Sequence, residues 1–259
     1  MNLKYVKFSV EDQIGWIQFN RPEKLNALNP DVLKDLEKAV EYCDREDKIR
    51  VVVLTGSEKA FVAGADIQHM STGNPNLAYD LSDLTTSVQE RIADLKKPTI
   101  ASIAGYALGG GCEMALCCDF RIGADNAVLG LPEITLGIIP GGGGTQRLPR
   151  LIGIGKAARL ILLGDMIKAD EAQRIGLLDR VVATDELKNE TKIMALKLIK
   201  RPAVALRAAK TAMRKGLNMS LKDGLILEQD LFAMLFGTED QKEGMAAFME
   251  KRKPEFRGK

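Results

Sequence analysis

The chain has 259 residues, 46% hydrophobic and 28% charged, enough for one large domain, or a domain with a small appendage, built round a sizeable core. Its 37 Lys and Arg nearly cancel 35 Asp and Glu, and the formal net charge of +2 argues against general nucleic-acid binding. No apolar stretch reaches the roughly 20 residues that span a bilayer, and the first segment lacks the continuous apolar run of a secretory signal, so a cytoplasmic protein without a membrane span is expected.

Residues 3–19 alternate and are rich in β-branched and aromatic side chains, which predicts two strands joined by a turn at Asp12 and Gln13. "RPEKLNALN" reads as a loop. Asn29 then caps a helix with Pro30 at its first position, running to about Cys43 with apolar residues at Val32, Leu33, Leu36, Ala39 and Val40. "IRVVVLTG" and "PTIASIAG" are continuous apolar runs, the pattern of strands buried on both faces. Between them lie a small-residue loop, "KAFVAGADI", and a helical stretch over 77–95. "GYALGGGCEMALCCD" opens a short apolar helix at its glycines. "DFRIGA" and "AVLGLPEITLGI" read as short strands and turns, and "PGGGGTQRLPRLIG" as a glycine-rich loop entering a helix. From about residue 156 the pattern is helical, with amphipathic helices over 203–215, 220–236 and 239–251. Strands joined by helices and followed by a helical tail indicate an α/β fold with an α-helical C-terminal region. The division falls at 1–200 and 201–259.

Most familiar chemistries fail on inventory. His69 is the only histidine and sits in a polar loop, so neither a Ser-His-Asp site nor a metal centre has its ligands. Cys43, Cys112, Cys117 and Cys118 form no C-x-x-C pair and read as small buried hydrophobes in a reducing compartment. "GIGKAA", residues 153–158, matches G-x-G-x-x-A but follows no strand, and no phosphate-binding G-x-x-x-x-G-K-[ST] occurs.

Two carboxylates stand out. Glu113 lies in the first turn of the helix opened by Gly109, Gly110 and Gly111. Glu133 follows Pro132 among apolar residues. At 20 residues apart they share no helix face, so only the fold can bring them together. Each could equally be a buried, hydrogen-bonded glutamate. The glycines add a helix N-terminus, whose unpaired amides and positive dipole end suit a developing oxyanion and would help keep Glu113 ionised. "AFVAGADI" offers a second exposed backbone, or simply a tight turn.

Taken in order, "NRPEKLNAL", "AFVAGADI", "GYALGGGCEMALCCD", "LPEITLGIIPGGGGTQRLPRLIG" and "FGTEDQKEGMAAFMEKRKPEF" resemble the crotonase, or enoyl-CoA hydratase, superfamily over almost the whole chain. The resemblance implies a spiral of ββα repeats with a helical C-terminal region used in trimer formation, as a homotrimer or a hexamer built from two trimers. It implies an acyl-CoA thioester ligand, with CoA part of the substrate and no further cofactor. The oxyanion hole maps onto the backbone amides of Ala65 and Gly110. CoA contacts map onto Lys24, Leu25, Ala27, Ala63, Ala65, Asp66, Ile67, Gln68 and Gly110, with Phe248 and Lys251 reaching from the tail of the same or a neighbouring subunit.

Hydratases of this superfamily have both glutamates, whereas many isomerases keep only the second. The implied activity is therefore a hydro-lyase adding water to trans-2-enoyl-CoA, in fatty-acid or butyrate-type metabolism. Glu113 and Glu133 would hold one water, with Glu113 activating it rather than bonding a structural partner, and Glu133 protonating C2. Leu131, where Gln often precedes the Pro-Glu pair, and the unbroken "GGGG" bear on acyl-chain preference. The alternatives are another acyl-CoA lyase or isomerase of the family, such as a cyclic dienoyl-CoA hydratase, and a non-catalytic binding module, which would be expected to lose one glutamate.

Overall fold

The computed structural model describes residues 3–259. The chain opens as a hairpin, Val6–Glu11 (β1) antiparallel to Ile14–Phe19 (β2). Its two-residue loop, Asp12 and Gln13, has φ of 49° and 64°, as a type I′ turn requires; the twist of such a turn matches that of the flanking strands. Pro30–Arg45 (α1) begins as its sequence directs, with the Asn29 side chain accepting a hydrogen bond from the Val32 amide.

Three strand–strand–helix units follow. The first is Val51–Thr55 (β3), Ala60–Val62 (β4), the short helix Ile67–Met70 (α2) and Pro75–Ala93 (α3). The second is Thr99–Ile103 (β5), Tyr106–Leu108 (β6) and Gly110–Cys117 (α4). The third is Phe120–Ala124 (β7), Val128–Gly130 (β8), a 3₁₀ turn over Pro132–Leu136, then Gly144–Ile152 (α5) and Ile154–Leu162 (α6). Met166–Lys168 (β9), Ala169–Arg174 (α7) and Arg180–Val182 (β10) complete the sheets. The first strand of each unit enters a six-stranded sheet of order β1-β2-β3-β5-β7-β10, and the second enters a four-stranded sheet of order β4-β6-β8-β9. Each turn of chain thus lays one parallel strand on each sheet, which makes the fold a spiral.

The larger sheet is covered on both faces, which explains its unbroken apolar runs. Val52, Leu54, Ala101 and Ile103 face the main core with α1 residues Leu33 and Leu36. Val51, Val53, Ile100 and Ile122 face a second core closed by Leu187 and Ala195 of Leu187–Ile199 (α8). The segment read from sequence as a loop, 59–67, contains β4 and the start of α2, and β6, β9 and β10 also carry no sequence signal. These strands are three residues each, too short for a period of two to show, and pairing with neighbours fixes them.

Ala203–Gly216 (α9), Leu221–Leu235 (α10) and Glu239–Met249 (α11) form the C-terminal helices, so the expected division at 200/201 falls between α8 and α9. Among the described residues no helix is long and apolar enough to cross a membrane. The joint with the sheets is ionic. Asp119, just beyond α4, accepts from Lys210 Nζ at 2.8 Å and from Arg214 Nη2 at 2.9 Å. Arg214 Nη2 also donates to the Cys117 carbonyl, 2.7 Å away, at the end of α4. Burial lowers the pKa of the Lys210 ammonium, and Asp119 acts against that shift. Asp119→Ala would strand a buried ammonium, and the expected cost is about 3 kcal/mol, read as a lower urea midpoint at an unchanged slope.

Candidate active site

Helix α4 is pressed backbone to backbone against β4. A Cβ on Gly111 would lie 1.9 Å from the Val62 carbonyl oxygen, so only glycine permits this approach. The helix starts without a side-chain cap; Gly109 sits at N-cap and the Gly109 amide is anchored on the Gly130 carbonyl, 2.9 Å away. The first turn of a helix leaves its amides without intrahelical acceptors, and Gly110 is the first residue of α4.

A second amide comes from the loop after β4. Leu28 and Ala65 form a parallel bridge in which the Leu28 amide donates to Gly64 O and Leu28 O accepts from the Asp66 amide, both at 2.8 Å. Those bonds flank Ala65, so its own N–H turns away from Leu28. Ala65 and Gly110 both line a cavity of about 840 Å³, together with Glu113 and Glu133.

The glutamates, distant in sequence, meet because β6 and β8 are neighbours and the 3₁₀ turn after β8 folds over the start of α4. A Cβ on Gly109 would lie 2.8 Å from Glu133 Oε1, and one on Gly144 would lie 3.0 Å from Glu113 Oε1. Their environments differ. Glu113 is 3% exposed, and its Oε1 accepts from the amides of Gly142 and Gly144, each at 2.8 Å. The sequence reading gave Glu113 no structural partner. One of its oxygens has two, because the four-glycine loop doubles back over α4 before entering α5.

Burial raises the Glu113 pKa, against the two amides and Arg147 of α5. Desolvation thus outweighs these three favourable partners. Glu133 is half-buried and is raised further, to about 7, by burial first and then by the charge of Glu113, against a hydrogen bond from its own amide. Its Oε2 is buried without a hydrogen-bond partner.

Of the other expected residues, Ala63 and Ile67 line the cavity. Lys24, Leu25, Ala27, Asp66 and Gln68 lie outside its lining, on the strip that joins the two loops. There the Leu25 carbonyl accepts from the Ala63 amide at 3.0 Å, Ala27 donates to Lys24 O, and Lys24 Nζ reaches Gln68 Oε1 at 3.3 Å. Asp66 is committed within the chain, its amide to Leu28 and its carboxylate to Arg21 Nη1 at 2.8 Å. Phe248, 85% exposed, and Lys251 sit in the C-terminal region, away from the cavity lining. His69 is exposed on α2, and "GIGKAA" begins α6 directly after α5, with no strand before it. The sequence reading missed Gly142 and Gly144 as donors. The run of glycines before a helix was their only trace.

A match to the enoyl-CoA hydratase/isomerase family model runs over residues 9–259. The chain belongs to this family. Among relatives, it is 45% identical to a crotonyl-CoA hydratase of Syntrophomonas wolfei, covering 95% of each chain. It is 44% identical to a short-chain-enoyl-CoA hydratase of Clostridium acetobutylicum, covering 98% of each. The crystal structure of an enoyl-CoA hydratase from Bacillus anthracis superposes with a TM-score of 0.95 at 40% identity, over 99% of this chain and 100% of that one. The fold expected from sequence, a crotonase-type spiral, is the one observed.

The raised Glu133 pKa has a consequence for stability. Between about pH 4.5 and 7 the folded protein holds a proton that the unfolded chain has shed, so stability falls as pH rises through this window. Glu133→Gln removes that dependence. Urea unfolding at pH 5 and pH 8 is expected to show a stability drop smaller in the variant by roughly 2 kcal/mol.

Proposed function

We propose that the protein is an enoyl-CoA hydratase that reversibly adds water to a trans-2-enoyl-CoA, giving the 3-hydroxyacyl-CoA. The observation that carries this reading is the pair Glu113 and Glu133, with unlike proton affinities, facing one cavity with two outward amides. The thioester oxygen accepts from Ala65 and Gly110, which stabilises negative charge as C3 is attacked; one such donor is worth roughly 100- to 1000-fold in rate. Glu113, anchored by Gly142 and Gly144, takes a proton from water as its oxygen bonds to C3. Glu133, about half of it still protonated near pH 7, gives its proton to C2. The proton gained by Glu113 then leaves through solvent as Glu133 is reprotonated, and dehydration runs the steps backwards.

The cavity wall is aliphatic, with Leu28, Met70, Leu77, Leu81 and Ile138, which suits an apolar acyl group. CoA is placed along the strip carrying Lys24, Leu25, Ala27, Ala63, Asp66, Ile67 and Gln68, with Phe248 and Lys251 supplied from the C-terminal region. No cofactor beyond the substrate enters these steps. The exposed Leu221, Phe232 and Phe248 of α10 and α11 support self-association of that region into a trimer or hexamer. Burial pushes all four cysteine thiols up to about 12, which suits a reducing cytoplasm without depending on it.

Loss of crotonyl-CoA absorbance tests the reaction. Glu113→Gln and Glu133→Gln are each expected to lower kcat by about 100-fold or more. Wild-type kcat/KM should fall as pH rises past about 7, where Glu133 loses its proton. Full hydration by either variant would overturn the assignment. Sedimentation velocity is expected to give three or six copies, and a monomer at micromolar concentration would overturn the assembly.

A further inference from the structure

Behind the cavity wall lies a polar side chain that neither the mechanism nor the family match accounts for. Gln89, in the last third of α3, is fully buried, and both its Oε1 and Nε2 lack a hydrogen-bond partner. An unpaired buried amide is costly and uncommon in a native core. Its location is marked by Gly142. A Cβ built there would lie 2.8 Å from Gln89 Nε2 and 2.6 Å from Glu113 Oε2. Both atoms therefore border the same point, beside the Glu113 oxygen that Gly142 and Gly144 do not hold. The neighbouring Thr85 does not compete, because its hydroxyl donates to the Leu81 carbonyl at 2.7 Å.

We propose that Gln89 is a positioning residue whose side-chain amide donates to Glu113 Oε2, directly after a small rotation or through one water. This inference rests on the hydratase reading for its kinetic consequence but not for its structural one. With Oε1 fixed by two backbone amides, a third donor on Oε2 favours the ionised carboxylate and sets the orientation of the lone pairs that face water. The charged and titratable groups around Glu113 are few. Arg147 on α5 favours its ionisation and is itself paired with Glu90 of α3; Glu133 on the 3₁₀ turn faces the same cavity; Cys112 and Cys117 on its own helix stay protonated. The rest of the α3 wall at Glu113, Thr85 and Gln89, is neutral, so Gln89 acts there by hydrogen bonding alone.

Gln89→Met keeps length and volume and removes the donor. Gln89→Leu serves as the second variant should Met not fold. Two readouts are followed. In protein labelled with ¹³C at the glutamate carboxyls, the Glu113 signal is identified as the one missing from Glu113→Gln, and its titration midpoint in Gln89→Met is expected to rise by about one pH unit. The acidic limb of kcat/KM for crotonyl-CoA should move up by a similar amount, and kcat should fall about tenfold with KM little changed. Thermal stability should fall at pH 8 more than at pH 4, because the ionised carboxylate has lost a donor. A Glu113 midpoint that does not move overturns the proposal, whatever turnover shows. A shifted midpoint in a protein whose wild type does not hydrate crotonyl-CoA overturns the hydratase reading and leaves the role of Gln89 standing.

Discussion

Glu113 is buried deeply enough that its charge must be met from inside the protein, and the geometry of the site follows from how that is done. The donors are backbone amides, from Gly142 and Gly144, which need no side chain and cannot rotate away. For them to arrive, the loop between the 3₁₀ turn and α5 must lie directly on α4, with no Cβ between. At Gly142 that Cβ would meet the Glu113 carboxylate itself. The constraint is repeated on the other side of the helix, where Gly111 lets α4 rest on the Val62 carbonyl. Helix α4 is thus fixed by backbone on two sides, and the position of the Gly110 amide relative to the Glu113 carboxylate is set by the helix itself.

Different environments then give the two carboxylates different proton affinities. Glu113 receives compensating hydrogen bonds; Glu133 receives few, and feels the charge of Glu113 as well. Two chemically identical side chains differ because one oxygen of Glu113 is bonded twice and Glu133 Oε2 not at all. The ionic joint at Asp119 ties this arrangement to the C-terminal helices, since Arg214 also holds the last carbonyl of α4.

Much of this was legible in the chain. The long elements announced themselves: α1 by its Asn-Pro start, the central strands by unbroken apolar runs, the last helices by their periodicity. The ordered motifs singled out Glu113, Glu133, Ala65 and Gly110, and all four line one cavity. What stayed hidden was set by contact at a distance. Strands of three residues have no period to read. Gly142 and Gly144 are ordinary loop glycines until the loop is folded onto Glu113. Nothing in "GADI" shows that the Asp66 carboxylate pairs with Arg21, 45 positions earlier. Gln89 lies in an otherwise unremarkable helix, and only the packing of α3 against α4 reveals where its amide points.

The spiral also separates two jobs along the chain. The floor of the cavity, with Gly110 and Glu113, belongs to α4, locked between sheet and loop. Much of its wall, including Met70, Leu77 and Leu81, belongs to α2 and the first half of α3, beyond the Leu28–Ala65 bridge that fixes the chain after β4. Residues there can reshape the hollow without shifting the amides or carboxylates below. Evolution can therefore retailor which molecule fits while inheriting the floor of the hollow unchanged.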